Sequence, residues 1–159
     1  MKRAWMVVLA GIAAVALTGA ARAPEAGGAG LQKKVIAPAG AKPAGLPFSP
    51  GLMVGDMLYL SGVVGADAGG KLAAGGFEGE MRQAMANAHA VLEGAGLDFA
   101  DVVAVNVYLG DMKDFPQMNQ IYREYFKTEP LPVRATVAVS GLALGAKMEI
   151  SMTAARTSK

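Results

Sequence analysis

Two charged residues in the C-terminal stretch 131–156, LPVRATVAVSGLALGAKMEISMTAAR, are of types that do chemistry on small anions. Arg134 carries a planar guanidinium, which pairs a carboxylate through two parallel hydrogen bonds. Glu149 carries a carboxylate, which can hold a water by accepting its hydrogen bonds. The stretch reads as two strands. Side chains alternate along a strand, so Val133, Ala135, Val137 and Val139 share one face of the first, and Arg134, Thr136, Ala138 and Ser140 the other. In the second, Met148, Ile150 and Met152 form the apolar face, and Glu149, Ser151 and Thr153 the polar one. A short Gly-containing link allows the two strands to lie side by side, with Arg134 and Glu149 on one quiet polar surface. That pair makes a site for a small carboxylate and a water, or else a salt bridge across two strands, worth little where exposed.

The elements that must position this pair are legible as patterns. Lys33–Ala37 reads as a short first strand, and residues 38–50, with prolines at 38, 43, 47 and 50, as a loop that cannot pair regularly. Leu52–Val54 and Met57–Val64 read as strands joined by a hairpin turn at Gly55-Asp56. Ala66–Gly76 is a second loop, rich in Gly and Ala. Over Glu78–Ala95, residues Met81, Met85, Ala88, Leu92 and Ala95 fall on one helical stripe, with Ala84 and Val91 beside it and Gly94 and Gly96 at its end. Val102–Leu109 alternates, with Val103, Val105, Val107 and Leu109 on one face. Asp114–Phe126 is a second helix, with Asp114 as its cap, Pro116 in its first turn, and a stripe of Phe115, Met118, Tyr122 and Tyr125 or Phe126. This order predicts an α+β domain: a mainly antiparallel sheet with both helices packed on one face. The opposite face is expected to carry Asn106, Tyr108, Arg134, Thr136, Ala138, Glu149 and Ser151. It is too sparsely charged for a plain solvated surface and suits a subunit interface.

Bulk properties bound the function. The chain has 159 residues and is 53% hydrophobic, with a mean hydropathy of +0.33. Part of that comes from the N-terminus, where a basic start (Met1–Arg3) leads into an apolar run (Ala4–Leu17) and a small-residue stretch (Thr18–Ala23). This is the layout of a secretory signal peptide. The run is shorter than the roughly 20 apolar residues that span a bilayer, which disfavours an uncleaved anchor. The expected organisation is a signal peptide over 1–23, a flexible linker over 24–32 and one domain over 33–157. The mature protein is then periplasmic or secreted, with no membrane association after cleavage. Cleavage removes Lys2, Arg3 and Arg22 and leaves 12 basic against 13 acidic residues, so the domain lacks the basic footprint of a nucleic-acid binder. There are no cysteines, hence no disulfides, no thiol nucleophile and no cysteine zinc site. His89 is the single histidine and sits at the edge of the first helical stripe, a structural position. Asp111 and Asp114 flank a strand-to-helix junction, where capping is the simpler role. Five of the ten methionines, at 81, 85, 118, 148 and 152, follow core periodicity and read as packing.

Three segments, PFSPGLMVGDMLYLSG (47–62), DFPQMNQIYREYF (114–126) and VRATVAV…KMEI (133–150), are similar in order and spacing to the Rid family of reactive intermediate deaminases. The resemblance spans roughly residues 33–156. It implies a chorismate-mutase-like α+β fold, a homotrimer with ligand sites between subunits, and neither cofactor nor metal. It also implies hydrolysis of enamines and imines such as 2-iminopropanoate and 2-iminobutanoate to 2-oxo acids and ammonia. On that pattern Arg134 clamps the substrate carboxylate, Glu149 positions the attacking water, Asn119 lines the pocket, and the backbone of Ser61 and Gly62 meets the ligand. Phe48 stands where the family commonly has tyrosine, and Thr136 where many members have cysteine. The Thr136 N–H survives as a donor, while Phe48 loses a hydroxyl, a hydrogen bond of about 0.5–1.5 kcal/mol. Reduced rate or altered specificity is expected, and a non-catalytic carboxylate-binding or holdase-like protein on the same fold is the alternative. An RNA-cleaving role, proposed for some relatives, is disfavoured by the near-neutral charge and the leader.

Overall fold

The computed structural model describes residues 30–40, 45 and 47–157. The expected leader and residues 24–29 of the expected linker lie outside them. Seven strands form one mixed sheet: β1 (Lys33–Ile36), β2 (Gly51–Val54), β3 (Met57–Leu60), β4 (Val63–Val64), β5 (Val102–Leu109), β6 (Val133–Ala138) and β7 (Met148–Ala155). Their order is β1-β2-β3-β7-β5-β6, with β4 also paired to β7. Every pairing is antiparallel except β5 with β6. Parallel neighbours need a crossover, and α2 (Phe115–Tyr125) supplies it. The predicted hairpin forms as expected. Val54 faces Met57 across the two-residue turn, and Gly55 takes the left-handed conformation there, at φ +59°, which glycine adopts without steric cost.

The longer helix α1 (Gly76–Gly94) buries Phe77, Met81, Ala84, Met85, Ala88, Val91 and Leu92. These pack with Leu58 and Leu60 of β3, Val105, Val107 and Leu109 of β5, and Met148, Ile150, Met152 and Ala154 of β7 in one core. Met118, Ile121 and Tyr122 of α2 complete it. Arg82 on α1 ties the two helices together, donating to Glu124 of α2 at 2.8 Å and to Glu78 at 2.9 Å. Asp114 makes no side-chain cap on α2. The preceding turn is capped instead by Asp111, whose Oδ1 accepts from the Lys113 N–H at 2.9 Å.

Three expectations about faces are corrected. First, β6 and β7 are not neighbours: β5 runs between them, and residues 139–147 cross over it. Second, β6 is turned over. Its register sets Arg134 beside Val105 and Thr136 beside Val107, and paired residues project to the same side of a sheet. Arg134, Thr136 and Ala138 therefore face the helix layer, while Val133, 72% exposed, and Val137, 48% exposed, lie on the open face. Third, a bulge between Val102 and Ala104 shifts the start of β5. It leaves Val102 buried and Val103 exposed, the reverse of the simple alternation.

β7 is paired along both edges, and its Ile150 is fully buried. Ile150→Ala is expected to destabilise the fold by about 2–5 kcal/mol, read as a lower urea midpoint with an unchanged slope.

Candidate active site

The sequence-derived residues assemble as two clusters on opposite faces of the sheet. The cationic cluster is built on β6 and α2. β6 is an edge strand, so nothing flanks it on its outer side among the described strands, and a long polar side chain there can lean over the end of the helix layer. The Arg134 Nη2 donates to Asn119 Oδ1 at 2.7 Å. Its Nη1 approaches the Met118 sulfur at 3.7 Å. The guanidinium carbon lies 4.5 Å from the centroid of the Tyr122 ring, over its face, and 6.0 Å from that of Phe115. Met118, Asn119 and Tyr122 reach the same group because residues three and four apart share one side of a helix. Thr136 lies two residues further along β6 on the same face, half-buried, with a hydroxyl that has no partner among the described residues. A cavity of about 310 Å³ opens beside Arg134, walled by Tyr122, Phe126, Leu131 and Pro132.

The acidic cluster is built on β7, β4 and the end of β3. Glu149 pairs with Val64 on one side and Tyr108 on the other, so its side chain stands on the open face. Gly62 lies directly against it: a Cβ there would sit 1.8 Å from Glu149 Oε1. Only a residue without a side chain leaves room for the carboxylate as it stands. Ser61 precedes it, half-buried, and its N–H donates to the Pro50 carbonyl at 3.0 Å. That bond ties the loop bearing Phe48 to the end of β3. Phe48 itself is 55% exposed, an apolar ring on the surface.

Arg134 and Glu149 thus do not meet within one chain. One strand lies between theirs, and their registers on it, Val105 and Tyr108, differ by three residues. Strand spacing and rise put their Cα atoms roughly 14 Å apart, with side chains on opposite faces. A salt bridge between them in one chain is excluded. Asn119 joins Arg134 as expected, and Ser61 and Gly62 join Glu149. Among the described residues no group of three or more His, Asp or Glu side chains is placed to hold a metal ion. His89 stacks on Phe99, with ring centroids 5.1 Å apart, and pairs Asp98 at 3.2 Å, as a structural histidine does.

Residues 39–156 match the family model described as Endoribonuclease L-PSP, and the human 2-iminobutanoate/2-iminopropanoate deaminase is 39% identical over 125 residues, spanning 78% of this chain and 90% of the human one. The chain belongs to this family, the Rid family. The fold agrees with solved members. RidA from the Antarctic bacterium Psychrobacter superposes with a TM-score of 0.70 at 33% identity, covering 77% of this chain and 99% of that one. The Rid protein YyfA from Yersinia pestis gives 0.71 at 32% identity, covering 79% and 100%. The α+β Rid fold is therefore established for this chain.

Tyr122 is the site residue that sequence reasoning passed over, because it reads as one more member of a buried helical stripe. Burial pushes its phenol up to about 12, and the nearby Arg134 charge offsets only part of that. Its hydroxyl has no partner among the described residues. The folded protein thus holds Tyr122 protonated where the unfolded chain, near 10, ionises. The stability from this difference is complete below pH 10 and is lost as pH rises through 12. An ultraviolet titration of wild type against Tyr122→Phe should differ by one phenolate appearing near pH 12. Gly62→Ala should leave the thermal midpoint within a few degrees, since a flexible carboxylate end can move aside, yet displace Glu149, seen as a shifted side-chain carboxyl carbon resonance.

Proposed function

We propose that the protein is an exported imine and enamine hydrolase, acting on 2-imino acids such as 2-iminobutanoate and releasing 2-oxo acids and ammonia. The observation that carries this reading is the division of the chemistry between two faces. An anion anchor (Arg134, Asn119, Thr136) and a carboxylate with a bare backbone beside it (Glu149, Gly62, Ser61) each lack the partner group that the other holds. A head-to-tail ring of copies brings the anchor of one subunit against the carboxylate of the next. The open face carries the apolar residues such a ring would cover: Val35, Tyr59, Val103, Val133 and Val137 are all exposed in the single chain. Relatives at about this similarity in human and cattle are named 2-iminobutanoate/2-iminopropanoate deaminases. A homotrimer is the assembly that the family resemblance implies.

In this reading Arg134 pairs the substrate carboxylate and fixes the imine carbon facing Glu149 of the neighbouring subunit. Glu149 takes a proton from water as the water oxygen bonds to that carbon. That proton passes to the nitrogen to give the carbinolamine, whose hydroxyl proton then moves to the nitrogen as the C=O forms and the C–N bond breaks, releasing ammonia and the 2-oxo acid. The N-terminal layout of basic start and apolar run supports export, and a trypsin-accessible pool in the periplasmic fraction is the expected localisation. The exposed Phe48 favours a second reading, a carboxylate-binding protein without turnover, because the ring offers no donor to a bound substrate. That reading requires pyruvate to raise the melting temperature while imine hydrolysis stays undetectable.

Imine generated in place by an amino-acid oxidase, with semicarbazide trapping what is left, measures the activity. Arg134→Ala is expected to raise KM about 10- to 100-fold, the loss of charge-assisted hydrogen bonds. Glu149→Gln should lower kcat about 10²- to 10⁴-fold, as loss of a general base does. With substrate held well below the Arg134→Ala KM, unfolding the two impaired variants together and refolding them as mixed rings should restore about a quarter of the wild-type sites, because half the anchors and half the carboxylates remain intact and pair at random. A site contained in one chain would restore none.

A further inference from the structure

We propose that Tyr122 is a positioning residue that aims the Arg134 guanidinium through the face of its ring. This rests on the reading of Arg134 as the carboxylate anchor and names what makes that anchor effective. Arg134 is on an exposed edge strand, where a long cationic side chain has many rotamers to lose on binding an anion. Three neighbours narrow that freedom, all from one side of α2. Asn119 Oδ1 takes one Nη2 proton at 2.7 Å, the Met118 sulfur takes a weak contact from Nη1 at 3.7 Å, and the Tyr122 ring lies 4.5 Å from the guanidinium carbon. None of the three is charged, so none competes with a carboxylate for the cation. Two of the five guanidinium donors are used, and three have no partner among the described residues.

The ring can serve as a fixed platform because it is itself fixed. Tyr122 is 8% exposed and stacks on Phe126, with centroids 4.3 Å apart. Phe126 in turn packs edge-on against Phe99 at 5.4 Å. The phenol remains neutral across the working range, so what it presents to Arg134 is the negative face of an aromatic ring and not a second charge. Its hydroxyl makes no hydrogen bond among the described residues, so the ring, and not the oxygen, is the working part. The rival reading is packing alone, in which Tyr122 merely fills the space beside Phe126.

Ring electronics separate the two. The purified protein is compared with Tyr122→Phe, with the same substitution made as a ring-fluorinated phenylalanine, and with Tyr122→Leu. Fluorination keeps the ring's shape and weakens its negative face, so it moves a cation–π contact and leaves packing in place. Pyruvate binding is measured by calorimetry, and kcat and KM on 2-iminobutanoate by trapping. Tyr122→Phe is expected to stay within about twofold of wild type. The fluorinated ring and Tyr122→Leu should weaken pyruvate binding and raise KM by about 3- to 30-fold, the range of a cation–π contact, with kcat held within about threefold. A fluorinated ring that behaves like Phe overturns the proposal, whether or not Tyr122→Leu folds. Arg134→Ala, run beside them, tests the underlying reading separately. If it leaves pyruvate binding intact, Arg134 is not the anchor. The Arg134 Nε–H resonance then decides the present inference: faster hydrogen exchange in the fluorinated and Leu variants, but not in Phe, upholds it, and equal exchange in all four sinks it.

Discussion

The register of one parallel strand pair decides which groups surround Arg134. β5 is flanked on both sides, by β7 and by the edge strand β6, and β6 is laid against it with Arg134 beside Val105. A slip of one residue would flip every β6 side chain to the other face. Arg134 would then leave Asn119 and Tyr122, and Val133 and Val137 would turn toward the helix layer. What holds the register is the crossover. α2 enters after β5, packs Met118, Ile121 and Tyr122 into the core, and returns the chain at β6. The same four-residue spacing that buries Met118 and Tyr122 offers their rims to the guanidinium. Core packing and the geometry around Arg134 are therefore one set of contacts read from two sides.

The acidic cluster depends on a different constraint, the closeness of backbone at the β3–β4 junction. Met57–Val64 reads as one strand, but the pairing breaks at Ser61 and Gly62. β3 stays on β2 and β7 while β4 meets β7 further along, at Ile150 and Glu149. Asn87 of α1 holds the far side of this junction, donating to the carbonyls of Val64 at 3.2 Å and Ala66 at 2.8 Å. Glu149 thus stands against a stretch of main chain fixed from both ends.

Much of this was legible from residue pattern. The apolar stripe of α1, the hairpin at Gly55, the buried face of β7 and the two helices on one side of the sheet all follow from periodicity and turn chemistry. Family similarity pointed to Arg134, Asn119, Ser61, Gly62 and Glu149 before any contact was visible. What pattern reasoning misplaced was β6. Its alternation of Val with Arg and Thr reads as apolar-inward, and for a central strand it would be. At a sheet edge beyond the reach of α1 the rule loses its force, because the helix-side positions are only partly covered and can hold polar groups. Adjacency of β6 and β7 was misjudged for a related reason: closeness in sequence favours hairpins, whereas β5, paired to both, places its buried valines between them. Val103 failed on a bulge, which leaves no mark in the spacing of valines.

The separation of Arg134 from Glu149 has a further consequence for how substrate size is encoded. Under the proposed hydrolysis, the groups that grip the anion belong to α2 and β6, and those that face the reacting carbon belong to β7 and the β3–β4 junction, so each set is rigid within its own body. The gap between them is not a dimension of either. In an assembly built on the open face, that gap is set by how closely two copies dock, and hence by the bulk of residues such as Tyr59, Tyr108, Val133 and Val137, which need never touch a ligand. The ruler for the substrate would then lie in the seam between molecules, and a chain could acquire a longer or shorter substrate by changing its grip on its own copy.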